Sequence, residues 1–158
     1  MKKPSYTKPT IWIVDTSVFC NILDIPGRNQ DRESVLNQFE AQARQGDLHM
    51  LPFTSVLETG NHIGQLADSG LRKKHAETFN ETIKASIDGE APWKPIAFPS
   101  NQEFLAYLDG FPFRAQAGTG FGDHLIIKQW EVVCKQFPGY IVKIWSKDSH
   151  LAGYECNH

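Results

Sequence analysis

The sequence predicts an α/β sandwich built around a mostly parallel sheet, and three observations carry that expectation. Ile11-Trp12-Ile13-Val14 is a short, continuous apolar run rich in β-branched residues, the pattern of a strand buried on both faces, and Tyr140–Trp145 is a second strand candidate rich in Ile and Val. Between such runs lie segments whose apolar residues recur at helical spacing, and that alternation favours a parallel sheet. The chain has 158 residues, 41% of them hydrophobic, which is enough for one domain with a proper core and short for two.

Taken in order, residues 1–10 are polar with two prolines and read as a loose lead-in, with residues 11–158 as a single domain. Ile11–Val14 is the first strand. After Asp15, Thr16–Leu23 reads as a short helix closed by the loop Asp24-Ile-Pro-Gly-Arg28. From Asp31 to Gln45, Val35, Leu36, Phe39 and Ala43 fall on one helical face, with Gly46 placed as a C-terminal cap. Leu48–Leu51 is a second strand stopped by Pro52. Ser55-Val-Leu-Glu58 has the form of a capping box that opens a helix. Leu71, His75, Phe79, Ile83 and Ile87 recur every four residues and predict a long helix. A proline-rich connector (residues 91–95) leads to a weak strand at Ile96–Phe98, and Ser100–Glu103 is a second capping box. The Gly-rich stretch 117–122 opens a helix to about Phe137, with Leu125, Ile126, Trp130, Val133 and Phe137 facing inward. Tyr140–Trp145 is the last strand. There is no internal repeat.

Charge and cysteines narrow the function classes. Sixteen Lys and Arg against eighteen Asp and Glu give a formal charge of -2. That excludes a highly basic nucleic-acid-coating protein and an acidic disordered tail, and leaves room for an enzyme with one local groove. Cys20, Cys134 and Cys156 are odd in number and far apart, so no disulfide framework is implied and a reducing cytoplasm is the simplest home. No apolar stretch approaches the ~18 residues of a membrane span. Nor does the N-terminus have the apolar length and cleavage site of a signal peptide.

Four acids are placed at one sheet edge by sequence alone. Asp15 follows the first strand, Glu58 lies in the first turn of the helix after the second, Asp123 lies in the first turn of the helix before the last strand, and Asp148 follows that strand. In a parallel sheet these ends share the edge where ligands bind. Neighbouring carboxylates raise one another's pKa. A divalent cation relieves the repulsion, and an all-oxygen ligand set selects Mg²⁺ or Mn²⁺ over zinc. Each acid also has a structural explanation: Asp15 and Asp148 as strand-end or turn residues, Glu58 as the partner of Ser55 in a capping box, and Asp123 as a carboxylate favoured by a helix N-terminus.

The ordered set Val14-Asp15-Thr16-Ser17-Val18-Phe19, Glu58, Asp123-His124-Leu125-Ile126-Ile127 and Ser146-Lys147-Asp148-Ser149-His150-Leu151 resembles the PIN-domain nucleases, which include the VapC-like toxins. It runs from Ile11 to about Tyr154. The resemblance implies a three-layer α/β/α fold and Mg²⁺- or Mn²⁺-dependent hydrolysis of RNA in the cytoplasm. It carries over Asp15, Glu58, Asp123 and Asp148 as metal ligands or water-orienting carboxylates, with Thr16 and Ser146 as supporting hydroxyls. It further implies a homodimer and, for a toxin-type member, an antitoxin partner covering the acidic groove.

Phosphate contacts are expected from Arg114, His124 and Lys147, which lie near the proposed edge in sequence. The denser run Arg72-Lys73-Lys74-His75 is read as a solvated helix face. Tyr107, Phe111, Phe113 and Phe121 are candidate stacking surfaces for unpaired bases, although aromatics at these spacings are more often core. Gly118–Gly122 lacks the lysine and the position of a phosphate loop. His150, Cys156 and His158 lack zinc-finger spacing. Two other function classes stay open: a PIN-like scaffold without catalysis, and an aspartate phosphatase using Asp15. The phosphatase lacks the second Asp two residues on, where Ser17 stands.

Overall fold

The computed structural model describes residues 8–157. Five strands form one sheet: β1 (Thr10–Val14), β2 (Leu48–Leu51), β3 (Trp93–Pro95), β4 (Ile141–Trp145) and β5 (Glu155–Asn157). Their order is β3-β2-β1-β4-β5, with β1 in the centre. The first four strands are mutually parallel, and β5 pairs antiparallel to β4. The chain order reverses between β1 and β4, so a crevice opens beyond their C-terminal ends. Most of the lead-in lies outside the described residues, and β1 begins at Thr10.

Helices cover both faces, which makes three layers. On one side lie α1 (Thr16–Ile22), α2 (Arg32–Arg44), α3 (Phe53–Gly64) and α4 (Ser69–Ile87). Val14, Leu51 and Trp145 of the sheet meet Val18, Phe19, Val35 and Ile63 there. On the other side lies α7 (Phe121–Gln136), preceded by the short helices α5 (Asn101–Tyr107) and α6 (Phe111–Gln116). Ile11, Ile13, Val142 and Ile144 pack on Ile126, Ile127, Val133 and Leu151 of that layer. The two-residue period of a strand explains the split: Ile11 and Ile13 face α7, while Trp12 and Val14 face the other layer.

Several expectations need correction. The third strand is Trp93–Pro95 rather than Ile96–Phe98. It is an edge strand, where proline costs no ladder bond, and Trp93 anchors it against Phe19 and Phe39. On α2, Leu36 and Ala43 point outward, and the inward residues are Val35, Phe39 and Gln42. Gln42 is accommodated there because its amide oxygen bonds buried His49 Nε2 at 2.8 Å. The four-residue repeat on α4 drifts by about 40° per step against 3.6 residues per turn. Phe79 and Ile83 therefore pack on the core, while Leu71 and Ile87 are exposed.

The cysteine reading is also overturned. Cys134 on α7 is disulfide-bonded to Cys156 on β5, and Cys20 is free and buried. The inference from cysteine number to a reducing compartment falls with it. Among the described residues no helix is long and apolar enough to cross a membrane.

The N-terminus of α3 differs as well. Pro52 is its N-cap, so the helix starts at Phe53 and Ser55 lies inside the first turn. There Ser55 Oγ donates to the Val14 carbonyl at 2.7 Å, fastening α3 to the end of β1, and no capping box with Glu58 forms. Ser55 is inaccessible to solvent. Ser55→Ala, which leaves that carbonyl without its donor, is expected to cost about 1–3 kcal/mol in a urea melt. The second capping box, Ser100 with Glu103, is present as expected.

Candidate active site

Four carboxylates meet at the crevice beyond β1 and β4. Asp15 is the N-cap of α1, and its backbone N–H donates to the Trp145 carbonyl at 3.0 Å, which ties it to the end of β4. Its Oδ2 accepts from Ser146 Oγ at 2.7 Å and from Ser17 Oγ at 2.9 Å. Ser146 Oγ in turn accepts from the Asp148 backbone N–H at 2.9 Å. Asp148 Oδ1 accepts from the His150 N–H at 2.9 Å, which holds the turn after β4. Glu58 Oε2 accepts from Thr16 Oγ1 at 2.9 Å. Asp15, Glu58, Asp123 and Asp148 all line one groove of about 330 Å³.

Their mutual field is visible on Asp123. Burial pushes its carboxyl up to about 6, from an ordinary 3.8, and the negative charges of Asp15, Asp148 and Glu58 add to the rise against a smaller pull from His150. The absence of a capping box removes the structural explanation of Glu58. Its carboxylate instead occupies the space a side chain at position 122 would fill, since a Cβ on Gly122 would overlap Glu58 Oε1. Gly122, the second residue of α7, thus serves a close approach between α3 and α7.

Of the sequence candidates, Thr16 donates to Glu58, Ser146 donates to Asp15, and Lys147 lines the groove. Arg114 and His124 do not. His124 is inaccessible, with Nε2 2.6 Å from the Tyr107 carbonyl oxygen and Nδ1 3.0 Å from Arg114 Nη1. Arg114 is committed to that contact and to Glu131 at 3.6 Å. These two candidate phosphate contacts are corrected to a structural pair. Of the aromatics, Tyr107 is buried, Phe111 packs on Phe121 and His124, and Phe113 is exposed. The basic run on α4 behaves as a helix face, with Lys73 4.0 Å from Glu77 and Arg72 donating to the Leu66 carbonyl.

Three groove residues escape a reading of the sequence. Ser17 stands out there only as part of a motif, and its role on Asp15 comes from the i,i+2 geometry of a capped helix start. Arg28, in the loop after α1, and His62, one turn beyond Glu58 on α3, also line the groove. The spacing of His62 from Glu58 is the one signal for it in the sequence.

Oxygen-only donors of this kind suit a hard divalent ion such as Mg²⁺ or Mn²⁺, which keeps several waters and needs few protein ligands. Among the described residues, no group of three or more His, Cys, Asp or Glu side chains is arranged as a ready metal cage. The fit therefore rests on the donor chemistry and on the unrelieved repulsion at Asp123.

No family profile matches the chain, and no curated protein matches it by sequence. Among solved structures, a chain of the crystal structure of VapBC2 from Rickettsia felis, bound to a DNA fragment from their promoter, is similar. The TM-score is 0.52 at 16% identity, over 86% of this chain and 99% of that one. The likeness shows the fold: a three-layer, PIN-like α/β/α sandwich with a mostly parallel sheet.

Proposed function

We propose that this chain is a Mg²⁺- or Mn²⁺-dependent endoribonuclease of the PIN type, acting through Asp15, Glu58, Asp123 and Asp148. The observation that carries the reading is the convergence of Asp15, Glu58, Asp123 and Asp148 on one groove; burial first and then the other three acids push the Asp123 carboxyl up, and a bound cation would relieve the acids' share. A divalent ion supplies activation of water and stabilisation of the leaving oxygen in phosphodiester hydrolysis. Asp15 and Asp123 are the best-placed direct ligands, with Asp148 next and Glu58 reaching through water. Ser17 and Ser146 fix the Asp15 carboxylate, and Thr16 fixes Glu58, by donating neutral hydrogen bonds that leave the negative charge intact. Lys147 offers a cation to the substrate.

The fold neighbour comes from a VapBC2 complex, which supports a toxin role with an antitoxin partner. Under this reading a segment of that partner lies over the groove and the functional unit is a homodimer. The direct test is cleavage of an end-labelled single-stranded RNA. Cutting with Mg²⁺ or Mn²⁺ that stops in EDTA supports the reading, and intact RNA at millimolar metal overturns it. One observation favours a second reading, a binding protein without catalysis: the acids do not already form a metal cage among the described residues. RNA binding without cleavage, and without stabilisation by metal, would select it.

Gly122→Ala separates site from fold. The added Cβ must displace the Glu58 carboxylate from beneath α7, while alanine improves helix propensity by up to about 1 kcal/mol. The expected result is cleavage lowered about tenfold, the size typical of losing a group that orients a ligand, with an unchanged or raised melting temperature. Loss of both would place Gly122 in packing alone.

A further inference from the structure

We propose that Arg28 and His62 form the phosphate-holding wall of the groove, binding the RNA phosphate next to the one at the carboxylates. This rests on the ribonuclease reading and adds where the strand runs. Arg28 and His62 line the acidic groove and also a hollow of about 360 Å³, lined further by Pro26, Gly27, Gln65 and Leu66, so the two spaces adjoin at these side chains. A strand with its scissile phosphate at the acids has room to continue past α1 into this second space.

The two side chains are uncommitted in different ways. His62 is half-buried and lines both hollows; its Nδ1 has no hydrogen-bond partner and is shielded from solvent, so the ring must turn to present it to a phosphate. Arg28 makes no ion pair among the described residues. Its backbone, by contrast, is anchored. The Arg28 N–H donates to the Ile25 carbonyl at 2.9 Å, and Asn29 Nδ2 donates to Asp24 Oδ1 at 2.8 Å. The Asp31 N–H donates to Asn21 Oδ1 at 3.0 Å, which ties the far end of the loop back to α1. A fixed loop thus carries a guanidinium with its donors unpaired at the mouth of the groove, and guanidinium geometry matches phosphate oxygens in pairs.

Arg28 could have neutralised the acids directly. The hydroxyls of Thr16, Ser17 and Ser146 already occupy carboxylate oxygens of Glu58 and Asp15, and they satisfy those oxygens without cancelling charge. The acids stay available for a cation, and Arg28 for an anion. A groove that carries both signs side by side suits a substrate that brings a polyanionic backbone to bound metal.

The test is the affinity of a labelled single-stranded RNA, measured against salt in the Asp123→Asn background so that the RNA stays uncut. Arg28→Gln is expected to weaken binding about tenfold and to flatten the log Kd against log salt slope by about 0.7, the value of one lost single-strand phosphate contact. Arg28→Lys is expected to restore the slope and part of the affinity, because a point charge replaces the fork. His62→Gln should weaken binding by a smaller factor. Equal affinity and equal slope in Arg28→Gln, in a protein that cuts RNA when Asp123 is intact, overturns the assignment. Tighter binding in Arg28→Gln also overturns it, and would make Arg28 an internal counter-ion of the acids. Should the parent protein neither bind nor cut RNA, the ribonuclease reading falls and this wall falls with it.

Discussion

Asp123→Asn is expected to raise the melting temperature of the metal-free protein at pH 8, to abolish its stabilisation by Mn²⁺, and to lower RNA cleavage by about 10²–10³-fold. The stability part comes from linkage. The folded-state pKa, about 6, lies above the ordinary 3.8, so between these values the folded chain binds more protons than the unfolded chain. Stability therefore falls as pH rises through this window, and the full cost is present above pH 6. A neutral amide removes that cost at pH 8 and gains little at pH 3.5, where the acid is mostly protonated in both states. The unscreened shift would be worth about 3 kcal/mol, but Asp123 is only half-buried. Solvent screening reduces the expected gain to about 1 kcal/mol, or roughly 2–4 °C for a chain of this size. Melting curves at pH 3.5 and 8, each with a Mn²⁺ titration, make the comparison. A mutant less stable than its parent at pH 8 without metal would mean that the acids do not strain the fold. A mutant that responds to metal as the parent does would place the ion elsewhere.

The positions of the acids are legible in the sequence because they depend on the most legible elements. β1 carries the continuous apolar run Ile11–Val14 and β4 is rich in Ile and Val with one lysine, both packed on both faces, and Asp15 and Asp148 sit just past their C-terminal ends. Asp123 is legible for a related reason, since Pro138-Gly139 ends α7 and its apolar period runs back to the glycines. Glu58 reaches the right edge through a wrong local argument. The capping-box pattern at Ser55–Glu58 is genuine as a string, but Pro52 starts the helix three residues earlier and Ser55 is drawn to the β1 carbonyl. Local chemistry loses to a tertiary partner 41 residues away.

The hidden features depend on contacts between segments distant in sequence. β5 is three residues long with one half-buried side chain, too short to show a period, and without it Cys156 has no visible route to Cys134. β3 looks like a connector because it contains proline, yet an edge position tolerates it. Arg28 reads as an ordinary turn residue until the loop is seen folded against α1 and α3. Sequence proximity to Asp123 suggests Arg114 and His124 as phosphate contacts. On a helix, however, adjacent residues differ by about 100° in direction, and when Asp123 faces the groove His124 faces the core.

That inward direction makes His124→Ala the most damaging single change expected outside the acids. Arg114 can only donate, so Nδ1 of His124 must accept from it, and Nε2–H donates to the Tyr107 carbonyl; the ring is neutral in the fold. Burial is the main force lowering its pKa; the nearby Arg114 and Lys128 add to the effect, while the Tyr107 bond and Glu131 oppose it. With the folded value below the ordinary 6.5, this contribution to stability is present above pH 6.5 and is lost as pH falls through the folded value. Alanine would leave the Tyr107 carbonyl and an Arg114 donor unpaired, and would open a void among Phe111, Phe121 and the end of α5. Two unpaired groups and the void together are expected to cost about 3–5 kcal/mol, a large share of the stability of a domain this size. Denaturant unfolding at pH 7.5 measures the loss, and RNA affinity measured well below the new midpoint should match the parent. Were His124→Ala as stable as the parent but several-fold weaker for RNA, the histidine would belong to the groove after all, and the direction of α7 at its first turn would have to be redrawn.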